Sequence, residues 1–202
     1  MAIARPADDD PPPDVETDPA LMARVGRGDA GAFRALVDRH LTRVHRLSAR
    51  MLGNVDEAEE VAQDAFLRLW VHAPRWRANA DGGALPWLRR VATNVCLDRL
   101  RRRRFTAEAE PADRPDPAAL APAVIDAARV GRAVERALSS VPDRQRAALV
   151  LTYYEELSNA DAARAMELHV KAFESLLLRA RATLRTALTR HGLTADDVRG
   201  LS

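Results

Sequence analysis

The chain has 202 residues with 31 basic and 29 acidic side chains, a formal charge of +2 and a pI near 9.2; 47% of it is hydrophobic but only 4% aromatic. That length holds one ordinary domain or two small ones, and cores built mainly from Leu, Val and Ala favour helices over sheets, so the expected fold class is all-α. One cysteine, Cys96, excludes an internal disulfide and a cysteine-rich zinc site, while an acidic, proline-rich start and the lack of a run of about 18 apolar residues predict a cytoplasmic protein with no membrane insertion.

Residues 1–17 are acidic and proline-rich with little to bury, so a disordered arm is expected there. Asp18-Pro19 reads as an N-cap followed by proline at the first helical position, and Gly26 and Gly28 end that short helix. Asp29 caps a second helix in which Phe33, Leu36, Val37, Leu41, Val44, Leu47 and Met51 recur at helical spacing, and Gly53 closes it. Asn54-Val-Asp-Glu57 resembles a capping box and opens a third helix with Ala58, Val61, Ala62, Ala65, Phe66 and Leu69 on its apolar stripe, stopped by Pro74.

Turn formers fill Arg75 to Ala84, and a fourth helix begins near Pro86 with Leu85, Leu88, Val91, Ala92, Val95 and Leu100 as its buried side and arginine on the other. Periodicity then vanishes from 105 to 123, where Pro111, Pro115, Pro117 and Pro122 predict a flexible linker. Fully extended, it reaches about 60 Å at ~3.1 Å per residue, enough to join two DNA sites more than one turn of ~34 Å apart. Beyond it, 124–139 and 143–155 read as helices broken at Pro142, Ser158-Asn-Ala-Asp161 caps another, and a last helix runs from about Val170 to Thr189. The expected organisation is two small helical domains, 18–104 and 124–190, followed by a tail at 191–202.

Three segments carry function. From Gly82 to Phe105, Trp87, Asn94, Arg89, Arg90, Arg99 and Arg101 to Arg104 put aromatic, amide and cationic groups on one helix. Arginines attract phosphates, an amide bonds a base edge and an aromatic stacks on an unpaired base; the plainer alternative is a solvated basic helix end. From Leu157 to Leu184 a short capped helix, a break near Leu168-His169 and a longer basic helix have helix-turn-helix proportions. His169, Lys171, Ala172, Glu174, Ser175 and Arg179 would face DNA; an ordinary helical hairpin is the alternative. Asn54 to Trp70 holds five acids and no base before Arg68, which suits a solvated face or a protein partner better than DNA.

Taken in this order, the segments resemble the extracytoplasmic-function (ECF, group IV) sigma factors of the bacterial sigma-70 family, over about Asp18 to Leu188. VDEAEEVAQDAFLRLW is similar to the family's polymerase-binding helix, PWLRRVATNVCLDRLRRR to its promoter-melting and −10-reading helix, and VPDRQRAALVLTYYEELSNADAARAM with the next helix to its −35-reading domain. The resemblance implies that Glu60, Gln63, Asp64, Phe66 and Arg68 meet the β′ clamp of core RNA polymerase. It also implies that Trp87, Arg90, Asn94, Arg99, Arg101 and Arg102 serve the −10 element, with Asn94 at the position that reads a flipped base. The partners it implies are core polymerase, promoter DNA and an anti-sigma factor, with no cofactor. One departure is Glu174-Ser175-Leu176, where many relatives carry a Lys-Ser-Arg-like run, so the −35 sequence does not transfer.

Two other classes stay open on the residues alone. A stand-alone helix-turn-helix regulator would bind an operator without polymerase, and a helical interaction protein would use the acidic and basic stripes as mutual salt bridges. Catalysis fits poorly: His40, His45, His72, His169 and His191 are scattered, show no metal-ligand spacing, and no nucleotide-binding glycine loop is present.

Overall fold

The computed structural model describes residues 16–77, 83–107 and 125–190. Residues 1–15 of the expected acidic arm, the centre of the turn-rich loop, nearly all of the linker and the C-terminal tail lie outside the described residues; Glu16 and Thr17, expected in the arm, are instead held against the first helix, Glu16 by Arg24. Among the described residues every regular element is helical: α1 (Asp18–Val25), α2 (Ala30–Leu52), α3 (Val55–His72) with a 3₁₀ turn at Ala73–Arg75, α4 (Ala84–Ala107), α5 (Ile125–Ser139), α6 (Asp143–Leu149) continued by a π turn at Val150–Tyr154, α7 (Asn159–Ala165) and α8 (Val170–Arg190). The first four helices form one small domain and the last four another.

Local signals set most of these boundaries. The Asp29 carboxylate accepts from the N–H groups of Gly31 (2.9 Å) and Ala32 (3.1 Å), and these bonds, that of Ala32 foremost, together with Arg24 hold its carboxyl below the usual range. Asn54 caps α3 through a 3.0 Å bond from the Glu57 N–H. Gly53 ends α2 at φ 66°, a left-handed conformation that costs glycine little. Gly26 is required for a different reason: a Cβ there would lie 2.8 Å from the Ala73 carbonyl oxygen, where α1 meets the turn after α3. Ser158 accepts from the Asp161 N–H (3.1 Å) and donates to its carboxylate (2.6 Å).

Three expectations change. Thr17, not Asp18, is the N-cap of α1, because the Asp18 carboxylate is used across the fold: it accepts from Arg39 (2.5 Å) and lies 2.7 Å from His40 Nε2. Leu41 stands 41% exposed, and the place expected for it in the buried stripe of α2 is taken by His40, which is 5% exposed beside that carboxylate. The fourth helix runs on through Ala107, past the expected domain end at 104.

Burial alone raises the Asp18 pKa, but hydrogen bonds and charge attraction from His40 and Arg39 outweigh it and leave the carboxyl below its usual value of 3.8. A group lowered in this way stabilises the fold above its unfolded-state pKa, and the contribution is lost as pH falls through the folded value. Asp18→Asn should therefore cost about 2 kcal/mol near neutral pH, as expected for hydrogen bonds to charged groups. In thermal melts the gap between variant and parent should narrow as the pH is lowered past 3.8 and through the folded-state value; a gap that stayed constant with falling pH would contradict this account.

The core is continuous. Leu36, Val44, Leu47, Met51, Val61, Leu69 and Leu88 fill the N-terminal domain, and Leu149, Leu151, Ala162, Phe173 and Leu177 the C-terminal one, with the two sets belonging to a single cluster of buried side chains. Each deeply buried Leu or Phe contributes roughly 1.5–3 kcal/mol of transfer free energy. Cys96 is fully buried, and desolvation, only partly opposed by its hydrogen bond with Ser48 and the charge of Arg99, pushes its thiol up to about 12, so it is a packing residue.

Candidate docking and nucleic-acid surfaces

The stripe expected for α3 is buried in full: Ala58, Val61, Ala62, Ala65, Phe66 and Leu69 all face inward. Its outer face carries Glu60 and Gln63, both exposed, and Asp64, which accepts two bonds of 2.9 Å from Arg68 one turn later. Phe66, expected among the docking residues, is 4% exposed, with its ring edge-on to Phe33 at 6.4 Å. It falls on the inner stripe, so it shapes the surface from below.

Two residues the sequence reading passed over, Leu67 (63% exposed) and Val71 (75%), complete that face. They are apolar residues off the helix's buried stripe, and that misplacement is a signal of docking. Leu67, with Leu41, Val37, Phe33 and Phe66, lines a groove of 700 Å³ between α2 and α3, rimmed by His45, Arg46, Glu59 and Gln63. An apolar floor with a polar rim is the anatomy of a protein-docking surface.

The charges of α4 divide by helical geometry. Arg90, Asn94 and Arg101, spaced by four and seven residues, share one face, with Arg101 68% exposed at its side chain. Arg99 and Arg103 lie on the opposite side, turned to α3, where Arg99 pairs with Glu60 (2.7 Å) and Arg103 with Glu57. Part of the acidic run of α3 is thus matched within the domain, as the salt-bridge alternative anticipated. Arg99, expected among the DNA-reading groups, is engaged there because it sits half a turn from the Asn94 face. Arg102 is exposed next to Arg101.

Trp87 also departs from expectation. It is 6% exposed and its ring stacks on His72 (centroids 5.2 Å apart, planes 16° from parallel) with Trp76 edge-on at 6.3 Å. An aromatic on the inner side of an amphipathic helix is drawn into the core, so its face is covered rather than offered to a base. This stack borders a 390 Å³ pocket with Leu67, Arg68, Val71 and Arg75, directly before the turn-rich loop.

In the second domain the expected helix-turn-helix is present. α7 ends at Ala165, the chain turns through Met166 to His169 with Glu167 left-handed at φ 54°, and α8 follows. Phe173, Leu176, Leu177 and Ala180 anchor α8. His169, Lys171, Ala172, Glu174, Ser175 and Arg179 are all exposed on its other side. The Ser175 hydroxyl donates to the Lys171 carbonyl (3.0 Å), and Asn159 at the start of α7 donates to Glu174 (3.4 Å). Arg181 donates to the Tyr153 hydroxyl (2.7 Å) and lies 5.7 Å from its ring centre, which fixes the outer edge of α8. Among the described residues no group of three or more His, Cys, Asp or Glu side chains is arranged to hold a metal, and no helix is long and apolar enough to cross a membrane.

A helical domain with an apolar docking groove and an arginine-bearing helix, followed by a helix-turn-helix domain with an exposed polar recognition face, defines a two-domain DNA-binding protein. The sigma-70 region 2 family profile matches residues 36–106 and the sigma-70 region 4 profile residues 131–184. The chain is 30% identical over 178 residues to the ECF RNA polymerase sigma factor SigW of Bacillus subtilis, covering 83% of this chain and 94% of that protein. It is 36% identical over 172 residues to the ECF RNA polymerase sigma factor SigM of Mycobacterium tuberculosis, 85% of each. Among solved structures, CnrH in complex with the cytosolic domain of CnrY matches with a TM-score of 0.64 and 26% identity, over 87% of this chain and 99% of CnrH. The sigma factor RpoE of Bartonella quintana, solved with the anti-sigma factor NepR, shares the fold at a TM-score of 0.59 and 20% identity, over 78% of this chain and 96% of RpoE. The chain belongs to the ECF sigma factors of the sigma-70 family.

Proposed function

We propose that this chain is a transcription initiation factor that docks core RNA polymerase on the outer face of α3, engages the −10 element with α4 and reads the −35 element with α8. The observation that carries this reading is the separation of three faces of different chemistry: an apolar and acidic one on α3, a cationic and amide one on α4 that is half-buried at Arg90 and Asn94 and exposed at Arg101 and Arg102, and a mixed polar one on α8. Arg68, Gln63, Asp64 and Glu60 surround the exposed Leu67 and Val71, so the clamp of the polymerase β′ subunit would bury an apolar centre within a polar rim.

On α4, Arg90, Arg101 and Arg102 supply phosphate attraction and Asn94 offers an amide to one unpaired base. Flipping and unpairing bases costs a few kcal/mol, which binding of single-stranded DNA and polymerase together offsets. On α8, Lys171, Ser175 and Arg179 suit phosphates and base edges, while Glu174, oriented by Asn159, suits the amino group of a cytosine. The process needs no bond cleavage by the factor, and it takes place where the polymerase works, in the cytoplasm. An anti-sigma protein is part of the proposal, supported by the family and by CnrH having been solved bound to the cytosolic domain of CnrY.

Leu67→Glu tests the docking face. The side chain is 63% exposed, so the fold should tolerate the change, whereas a carboxylate placed at the centre of an apolar contact should weaken core polymerase binding at least about tenfold. Fluorescence anisotropy of labelled protein titrated with core enzyme measures this. Unchanged affinity would remove α3 from the interface, and no binding by the parent chain would refute the proposed function.

A further inference from the structure

Helix α2 carries a charge pattern that none of the three proposed faces uses. It holds five arginines and one acid, Asp38. Four of them, Arg39, Arg43, Arg46 and Arg50, are spaced four, three and four residues apart and so form one stripe along the helix, ~16 Å long at ~1.5 Å per residue. The ends of the stripe are engaged and its middle is not. Arg39 donates to the Asp18 carboxylate (2.5 Å) and to the Glu16 carbonyl (2.8 Å), and Arg50 lies over the Tyr154 ring, 4.4 Å from its centre. Arg43 and Arg46 are exposed, and their guanidinium groups have no ion-pair partner among the described residues. Like charges three and four residues apart on a helix repel, so a stripe of this kind calls for an anionic partner.

The chain delivers an acidic segment to one end of that stripe. Glu16 is held by two arginines, its carboxylate accepting from Arg24 at 2.5 Å and its carbonyl from Arg39. Residues 8–14, DDDPPPD, come immediately before that anchor and carry Asp8, Asp9, Asp10 and Asp14 with no base. Asp14 is two residues from Glu16, and the eight residues from Glu16 back to Asp8 reach up to ~25 Å at ~3.1 Å per residue, more than the length of the stripe. So short a tether gives these carboxylates a high effective concentration at the unpaired arginines.

We infer that the aspartates of residues 8–14 occupy the arginine stripe of α2, neutralising Arg43 and Arg46. Each exposed pair of this type is weak by itself, and several along one stripe act together and fade with salt. The contact needs no fixed backbone conformation in the arm, only charge of the right sign within reach. Its consequence is a shield: a row of free arginines would otherwise hold nucleic acid of any sequence, and the arm covers it. Such a contact is independent of how α4 and α8 read DNA. Arg46 also stands on the rim of the groove between α2 and α3, so an occupied stripe borders the docking surface.

The test uses the full chain with a nitroxide on Ala7→Cys, beside Asp8, while native Cys96 is buried. The nitroxide broadens the NMR signals of backbone amides near it. Signals of residues 42, 43 and 46 should be broadened in the parent. They should sharpen in Asp8→Asn/Asp9→Asn/Asp10→Asn/Asp14→Asn, in Arg43→Gln/Arg46→Gln, and toward ~1 M salt, where the Debye length is ~3 Å. Arg144→Gln/Arg185→Gln, at two exposed positions of the C-terminal domain, removes the same charge elsewhere and should leave the broadening in place.

Binding of a random-sequence DNA duplex without polymerase, arranged as a double-mutant cycle, provides a second measurement. Neutralising the four aspartates should tighten binding at least about tenfold near ~0.1 M salt and steepen the salt slope by about 2, as two freed phosphate contacts at ~0.9 each require. In the Arg43→Gln/Arg46→Gln chain the same change to the arm should gain much less. Equal gains in both backgrounds would mean a general charge effect and would overturn the inference, as would amides of residues 42, 43 and 46 that stay sharp in the parent. Sharp amides together with weaker DNA binding by Arg43→Gln/Arg46→Gln would assign the stripe to nucleic acid instead of the arm.

Discussion

Phe173→Ala is expected to unfold the helix-turn-helix domain, or leave it folded only at low temperature. Phe173 is fully buried, the largest of the side chains that reach that depth, and lies in the first turn of α8 with its N–H donating to the His169 carbonyl at 3.0 Å. Removing such a ring costs about 3–5 kcal/mol through lost transfer energy and the cavity left behind. A domain of this size has a total stability of about 5–15 kcal/mol, and a small helical unit lies near the bottom of that range. Circular dichroism melts should show a large loss of cooperative helix at 25 °C. Binding to −35-containing DNA should disappear with it, while the N-terminal domain, whose own core surrounds Leu36, Leu47 and Leu88, should still bind core polymerase.

The second large effect is electrostatic. Replacing Arg90, Arg101 and Arg102 together with Gln should lower promoter affinity of the polymerase-loaded chain by about a hundredfold near 0.1 M salt, since three single-strand phosphate contacts at a slope of ~0.7 each account for ~2 logarithmic units. The slope of log affinity against log salt should fall by about 2 as well. Arg99→Gln/Arg103→Gln provides the contrast. Those two face Glu60 and Glu57, and exposed pairs of this type contribute about 0–1 kcal/mol, so both salt slope and affinity should change little. Equal effects of the two sets would mean that the division of α4 into two faces is wrong.

Apolar period and capping chemistry made most of the helices legible in the sequence. Asp29, Asn54 and Ser158 bond the backbone groups immediately following them, which is a local interaction and therefore visible in a single chain. The stripe of α3 was readable because its six inner residues repeat at helical spacing. Asp18 was misread as a cap for the opposite reason: its carboxylate is committed to Arg39 and His40, more than twenty positions away, and no local pattern records that.

The site follows the same division. Exposure of His169, Lys171, Glu174, Ser175 and Arg179 follows from helical period, and so did their assignment to one face. Phe66 was assigned through the family resemblance, and Trp87 and Arg99 through residue type as well; neither signal carries packing, and in the structure the two aromatics fall on inner stripes and the arginine faces acids on the neighbouring helix. Leu67 and Val71 were recoverable, as apolar residues on the outer side of an otherwise well-formed amphipathic helix.

The most direct test of the central claim is transcription of genomic DNA fragments by core polymerase from a related bacterium, with and without the protein, with RNA start sites mapped. New starts that depend on the protein and share two upstream elements, and that are lost with Leu67→Glu, are the expected result. No new starts, together with tight sequence-specific DNA binding in the absence of polymerase, would contradict the account and identify a stand-alone helix-turn-helix regulator.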